Sequence, residues 1–169
     1  MKWCVLALLL LTTSVCVWAQ PKPLTTAQQV AAQLGRAHEQ LLLVTPSVSS
    51  KPLAEALRRA AAERGVQVFI VVAPAWAEAP GSYVASLALL EGVRVRLAET
   101  ERQFVVVDVA DDAFVIEGSL VSASTQRFDE RPTYAFANPQ AVGERALHFA
   151  ELWRSAVPYR SFIYREEVP

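Results

Sequence analysis

Cysteine is nearly absent from this sequence of 169 residues, and both copies, Cys4 and Cys16, lie within the first twenty residues. A disulfide framework or a cysteine-based metal site in the remaining chain is therefore excluded. Histidine occurs twice and glycine six times. No spacing typical of a zinc site, a calcium loop or a phosphate-binding loop is present. We accordingly expect neither a metal nor a cofactor.

An excess of charge of one sign is also lacking, since the formal net charge is −1. Proteins that bind nucleic acid or anionic lipid through bulk charge usually carry a clear basic excess. Such binding is not expected here, although a local basic patch remains open. With 53% hydrophobic and 20% charged residues, the composition indicates one ordinary globular domain and excludes intrinsic disorder.

Residues 1–19 have the order of a signal peptide. Lys2 is followed by an apolar run from Val5 to Leu11 and then by the small-residue site Val17-Trp18-Ala19. This order predicts cleavage after Ala19 and a secreted or periplasmic mature chain that starts at Gln20.

Two other interpretations of this segment stay open. The first is an uncleaved membrane anchor, although the apolar run falls short of the roughly 20 residues that span a bilayer. The second is a lipid on Cys16, but Val15 stands where a lipoprotein signal requires a small residue. After cleavage we expect no stable membrane insertion.

Helical and strand patterns alternate through the mature chain. Apolar runs suited to buried strands are followed by Ala-, Leu- and Glu-rich helical segments, which indicates an α/β fold with a mixed β-sheet sandwiched between helices. We expect one domain over residues 25–157 and a C-terminal tail over 158–169. The predicted strands are Leu41–Thr45, Val66–Val72, Val93–Leu97, Phe104–Val109, Ala113–Ile116 and Tyr134–Phe136; the predicted helices start at Ala27, cover Lys51–Arg64 and Ser82–Leu90, and run from Pro139 to about Ala156.

Side-chain positions follow from the same patterns. The last helix is expected to turn Val142, Leu147, Phe149, Leu152 and Trp153 toward the core. His38 is placed on the first helix and His148 on the last, both as surface or partly buried residues. A loop is predicted over Pro74–Gly81, and a solvated basic strand face is expected from Arg94, Arg96 and Arg102.

Four short motifs occur in a fixed order between Leu41 and Trp153. They are Thr45-Pro46-Ser47-Val48-Ser49-Ser50, Arg64-Gly65-Val66, an apolar run ending in Asp108, and Gly118-Ser119. This ordered set resembles one half of the phospholipase D superfamily, especially its small, secreted, single-motif branch of endonuclease-like phosphodiesterases. The resemblance implies a phospholipase D-like half-domain, a homodimer that pairs two copies across the site, and a phosphodiester ligand, either nucleic acid or phospholipid.

The catalytic positions implied by the resemblance depart from the family pattern. Glu101 stands at the nucleophilic histidine, Gln103 at the phosphate-binding lysine and Val121 at the asparagine that follows Gly-Ser, whereas Asp108 and Ser119 agree. Phosphodiester cleavage of this kind uses an imidazole to attack phosphorus and cations to neutralise the phosphate. A glutamate repels the anionic substrate, and a glutamine offers no compensating charge. The motif is therefore degenerate.

Several roles remain for the individual residues. The resemblance implies ligand binding by Thr45, Ser47 and Ser119. Asp108 either orients a group of the site or caps a turn. Glu101 and Asp108 would point to opposite faces of a regular strand, which argues against a shared metal.

These observations favour a non-catalytic binding or assembly domain. One alternative is a residual or altered phosphodiesterase that uses Glu101, Asp108 and Ser119. Another is a partner that pairs with an intact homologue, which would supply the missing histidine and lysine.

Overall fold

The computed structural model describes residues 20–110, 112–121 and 132–160, so the predicted signal peptide and residues 161–169 of the tail lie outside it. These residues form an eight-stranded mixed sheet with helices on both faces, which confirms the predicted fold class. The strands are β1 Lys22–Leu24, β2 Gln40–Thr45, β3 Gln67–Val72, β4 Val93–Leu97, β5 Phe104–Val107, β6 Phe114–Glu117, β7 Thr133–Phe136 and β8 Val157–Pro158; the helices are α1 Ala27–Leu34, α2 Lys51–Arg64, α3 Pro74–Ala77, α4 Val84–Ala88 and α5 Pro139–Ser155.

The strands lie in the order β1-β7-β6-β5-β2-β3-β4-β8. β2, β3 and β4 are parallel to one another, and the remaining neighbours are antiparallel. The two edge strands are short: β1 covers Lys22–Leu24 and pairs with β7, and β8 covers Val157–Pro158 and pairs with β4.

Two hydrophobic layers enclose the central strands. Leu41 and Leu43 of β2 face α1, α2 and α4, whereas Leu42 and Val44 face α5. Every residue of β5 is buried. The continuous apolar runs of these strands are explained by burial on both faces, as expected for the centre of an α/β sheet.

α2 has the bounds that its end signals predict. Pro52 lies in its first turn, and Gly65 follows its last residue in the left-handed conformation with φ +70°. The guanidinium of Arg64 then donates to the backbone carbonyls of Leu34, Gly35 and Ala37. These bonds satisfy carbonyls at the carboxyl end of α1, so the two helices are held together.

Four details of the sequence interpretation are wrong. α1 ends at Leu34, which places His38 in the turn before β2 rather than on a helix. Leu147 is 59% exposed because it lies on the side of α5 opposite buried Phe149. The predicted loop at residues 74–81 begins with a helical turn, and the helix predicted over 82–90 covers only Val84–Ala88.

The predicted basic stripe is also interrupted at Arg96. Its guanidinium lies 4.7 Å from the centre of the Trp153 ring and donates to the Trp153 carbonyl at 2.6 Å. Trp153 in turn packs edge-on against Phe69 of β3. Arg96 therefore fastens the carboxyl end of α5 to the sheet. None of the helices in the described ranges is long and apolar enough to cross a membrane.

Candidate functional site

Most of the motif positions meet at one edge of the sheet. Val44 near the end of β2 pairs with Phe104 at the start of β5, and Phe104 pairs with Glu117 at the end of β6. The segments that continue from these three strands therefore emerge together. These segments, residues 45–50, 101–103 and 117–119, lie at one end of the central strands and not at an edge strand. We call this end of the sheet the motif edge.

Glu101 and Gln103 reach the motif edge just before β5. Glu101 is exposed and Gln103 is half-buried. The Gln103 carbonyl accepts the Gly118 N–H at 3.0 Å, which continues the β5–β6 ladder by one step. A carboxylate thus stands in water at Glu101, the residue that the resemblance aligns with the nucleophile. Glu101 itself supplies neither an imidazole nor a positive charge.

Gly118 and Ser119 form the other side of this edge. Gly118 has φ +135°, and a β-carbon there would lie 2.5 Å from the α-carbon of Thr133. Only glycine therefore lets β7 start this close to the end of β6. Ser119 opens a short 3₁₀ turn, Ser119–Val121. Val121, which the resemblance aligns with the family's asparagine, is fully buried in the core.

Asp108 directly follows β5 and lies at the opposite end of that strand from the motif edge. Its carboxylate accepts the backbone N–H groups of His38 at 3.1 Å, Glu39 at 2.9 Å and Gln40 at 3.0 Å. Burial would raise the pKa of Asp108, but these hydrogen bonds and the charge of His38 lower the pKa below its usual value. The geometry favours the turn-capping role of Asp108, because the carboxylate fastens the α1–β2 turn to the end of β5.

The loop after β2 contains the remaining predicted ligand-binding residues. Thr45 is fully buried, and its hydroxyl donates to the Ser47 carbonyl at 2.9 Å. The Ser47 hydroxyl is itself buried and has no hydrogen-bond partner among the described residues. The structure therefore brings Thr45, Ser47, Gln103 and Ser119 to one edge and separates Asp108 from them.

A polar cluster on α5 borders the motif edge and was not predicted. Arg145 donates to the Glu117 carboxylate at 2.8 and 3.1 Å and lies over the Phe104 ring. His148 contacts the same ring, 5.9 Å between centres. Burial lowers the pKa of His148, and the charges of Arg102 and Arg145 lower it further, against an opposing effect of Glu151. Arg145 and His148 are three residues apart, so they lie on the same face of a helix, and this spacing could have predicted the cluster.

A metal site is not found in the described ranges: no three histidine, cysteine, aspartate or glutamate side chains come together there. Glu101 and Asp108 are separated by the full length of β5 rather than by the faces of one strand, because residues 101–103 precede that strand. The groove between α1 and α2, about 690 Å³, contains none of the predicted site residues. It is lined by Gln28, Ala31, Ala32, Gly35, Pro52, Glu55, Ala56, Arg59, Glu63 and Arg64.

Comparison with protein families decides the relationship. A family model described as "Cardiolipin synthase, PLD-like domain" matches residues 30–130. The chain belongs to this PLD-like family. The match includes all the motif positions from Thr45 to Val121. Among curated proteins, none matches the sequence.

Solved structures share the fold of this PLD-like chain. Nuc, a phospholipase D family member from Salmonella typhimurium, has a TM-score of 0.63 at 20% identity, covering 79% of this chain and 90% of Nuc. NucT from Helicobacter pylori has a TM-score of 0.62 at 14% identity, with 78% and 92% covered. TrmBL2, an archaeal chromatin protein with a novel mode of DNA binding, has a TM-score of 0.60 at 16% identity, with 89% and 57% covered.

Proposed function

We propose that this chain is an exported, non-catalytic PLD-like domain that binds a ligand or assembles with a partner. The observation that carries the proposal is the composition of the motif edge, where Glu101 and Gln103 replace the nucleophile and the cation. Asp108, the residue of the motif that is retained, acts as a structural anchor at the other edge. Export is proposed from the signal-peptide pattern of residues 1–19.

The proposed ligand carries a phosphodiester or related phosphate group, as in nucleic acid or phospholipid. The family relationship supports this chemistry. TrmBL2, whose fold is similar to this one, is a chromatin protein that binds DNA. Hydroxyl and backbone N–H groups at the motif edge can contact a phosphate group without cleaving it.

Hydrolysis of a generic phosphodiester tests the proposal directly. We expect the purified mature chain to show no turnover above background with bis-p-nitrophenyl phosphate, because Glu101 and Gln103 supply neither the imidazole nucleophile nor the cation that the family reaction uses. Glu101→Gln and Ser119→Ala serve as matched variants. Turnover that is lost in either variant would make the chain an altered phosphodiesterase, whereas turnover that persists in both would indicate a contaminating enzyme.

A Glu101→His/Gln103→Lys variant completes the assay. Turnover in this variant alone would show that the edge keeps the family geometry and lacks just these two side chains. The unaltered mature chain mixed with an intact homologue tests the half-site alternative. That alternative requires more turnover in the mixture than the homologue shows alone.

We further propose a homodimer, as the single-motif branch implies. α5 packs over β2, β3, β5 and β6, and on the same side of the sheet Tyr134 of β7 is 38% exposed beside half-buried Phe136. A specific interface of about 1,600 Å² in total would cover these rings.

Light scattering at micromolar concentration should give the dimer mass. Tyr134→Glu should yield monomer, and Leu89→Glu, at an exposed leucine of the region after α4, should not; a monomer mass for the unaltered chain would contradict the proposal.

A further inference from the structure

The segment that follows β3 carries an exposed tryptophan in apolar surroundings. Residues 73–81 contain four alanines, two prolines, one glycine, one tryptophan and one charged residue, Glu78. Trp76 is 40% exposed, and the two residues before it, Pro74 and Ala75, are exposed as well. We call residues 73–81 the tryptophan tip.

The exposure of Trp76 is imposed by the backbone around it. The next residue, Ala77, is 1% exposed and belongs to the core. The Ala77 N–H donates to the Ala73 carbonyl at 3.2 Å, and the Ala77 carbonyl accepts the Ser82 hydroxyl at 2.8 Å. Successive residues of a helical turn point about 100° apart. Because Ala77 is held against the core, the ring of Trp76 faces the solvent.

Hydrogen bonds on both sides of the tryptophan tip connect it to the motif edge. The Ala73 N–H donates to the Pro46 carbonyl at 3.2 Å, and the Tyr83 N–H donates to the Val48 carbonyl at 2.9 Å. Both acceptors belong to the loop after β2, which is one of the three segments of the motif edge. A surface that takes up the Trp76 ring therefore also meets the groups proposed to contact phosphate.

The charges at this end of the sheet separate two kinds of ligand. Glu99 and Glu101 are exposed next to exposed Arg102, and Lys51 lies 3.8 Å from Glu55. Cations therefore do not outnumber carboxylates among the described residues here, whereas nucleic acid binding needs several cations to neutralise its phosphates. A zwitterionic lipid surface has no net charge to repel these carboxylates, and its ammonium groups attract them.

We infer that the tryptophan tip enters the headgroup region of a zwitterionic phospholipid surface and so brings the motif edge to a lipid ligand. Tryptophan is suited to that region, because its indole ring combines a large apolar area with one N–H donor. Contact through one ring is reversible, unlike the insertion of a membrane-spanning helix. The inference rests on the proposed function for the phosphate chemistry, and it selects phospholipid over nucleic acid as the source.

Vesicles of phosphatidylcholine test the inference through tryptophan fluorescence. Residues 20–169 contain two tryptophans, Trp76 and Trp153, and Trp153 is half-buried and stacked on the Phe149 ring. The vesicles should shift the emission of the mature chain to shorter wavelength and protect it from iodide, because the Trp76 ring leaves water. Trp76→Ala should weaken vesicle binding about tenfold in a sedimentation assay. Trp76→Tyr, which keeps an aromatic ring with a polar group, should lose less.

Leu89→Ala is the matched control, since Leu89 is another large apolar residue, 51% exposed. It lies just ahead of β4, whose first residue, Val93, pairs with Val68 near the start of β3. That position is at the end of the sheet opposite the motif edge, so vesicle binding should not change. Equal losses in Trp76→Ala and Leu89→Ala, or no binding by the parent chain, would overturn the inference. An unchanged Tm for Trp76→Ala shows that its loss of binding is not unfolding.

Two further ligands test the choice of a zwitterionic surface. A single-stranded oligonucleotide that quenches Trp76 in a salt-dependent way, when vesicles have no effect, would indicate base stacking and contradict the inference. Binding that requires anionic lipid and disappears at high salt would contradict it as well. The hydrolysis assay uses a soluble phosphodiester without a lipid surface. Turnover there would refute the non-catalytic proposal and leave the vesicle result standing, and failed vesicle binding leaves the hydrolysis result standing.

Discussion

Replacing Gly118 by alanine is expected to lower the free energy of unfolding by about 3 kcal/mol or more, since it combines backbone strain with overpacking. The backbone there has φ +135°, and the new β-carbon would meet the α-carbon of Thr133 at 2.5 Å and the carbonyl oxygen of Pro132 at 2.6 Å. Both contacts are with backbone, so no side-chain rotation relieves them. Urea unfolding of the purified variant measures the loss.

Gly143→Ala is the control for this substitution. Gly143 lies within α5, where an added β-carbon has no heavy atom within 4 Å. Alanine should raise the free energy of unfolding by about 0.5–1 kcal/mol, because it restricts the unfolded chain and favours the helix. Similar unfolding midpoints for the two variants would show that the close approach of β7 at Gly118 does not constrain the fold.

Asp108→Ala should lower the free energy of unfolding by about 3 kcal/mol, because it leaves the N–H groups of His38, Glu39 and Gln40 without their acceptor. Asp108→Asn should cost less. Asparagine tolerates the positive φ of +54° at this position but keeps one acceptor oxygen in place of a carboxylate. Asp112→Asn, an exposed position with φ +59° in the same hairpin, is the control and should be nearly neutral.

The pH dependence of Asp108 has a definite sign. Its pKa is lower in the folded chain than the ordinary value of 3.8, so the unfolded chain takes up the proton first as the pH falls. The stability that the carboxylate contributes is present above that ordinary value and is lost as the pH falls through the folded-state pKa. The difference in unfolding free energy between the parent chain and Asp108→Asn should therefore narrow below about pH 4. A difference that is constant with pH would show that the charge of Asp108 does not matter.

Local signals explain which elements the sequence predicted well. The bounds of α2 follow from Pro52 and Gly65, each of which acts within one turn of the helix end. The central strands follow from their apolar runs. β1 and β8 have three and two residues, too few for any periodicity, and they exist because partner strands β7 and β4 offer them hydrogen bonds.

Long-range contacts explain what the sequence left open. Whether Asp108 orients a ligand or caps a turn depends on amides about seventy positions away in the chain. The Glu117–Arg145 pair likewise joins a strand to a helix 28 residues later. The motif order singled out Glu101, Gln103 and Ser119, but the burial of the Ser47 hydroxyl and the missing cap at Ser50 are properties of the folded loop.

The separation of the two edges has an evolutionary consequence. Asp108 and Gln103 flank the four-residue β5 and are five residues apart, so the Asp108 anchor lies on the order of 16 Å from the position of Gln103. Mutations that replaced a histidine by Glu101 and a lysine by Gln103 would leave the hydrogen bonds of Asp108 unchanged. If selection for cleavage ended in this lineage, selection for a folded chain would still preserve the aspartate of the motif. In such a lineage the aspartate would persist longer than the histidine and lysine. The fold depends on the aspartate, whereas the histidine and lysine are needed only for cleavage.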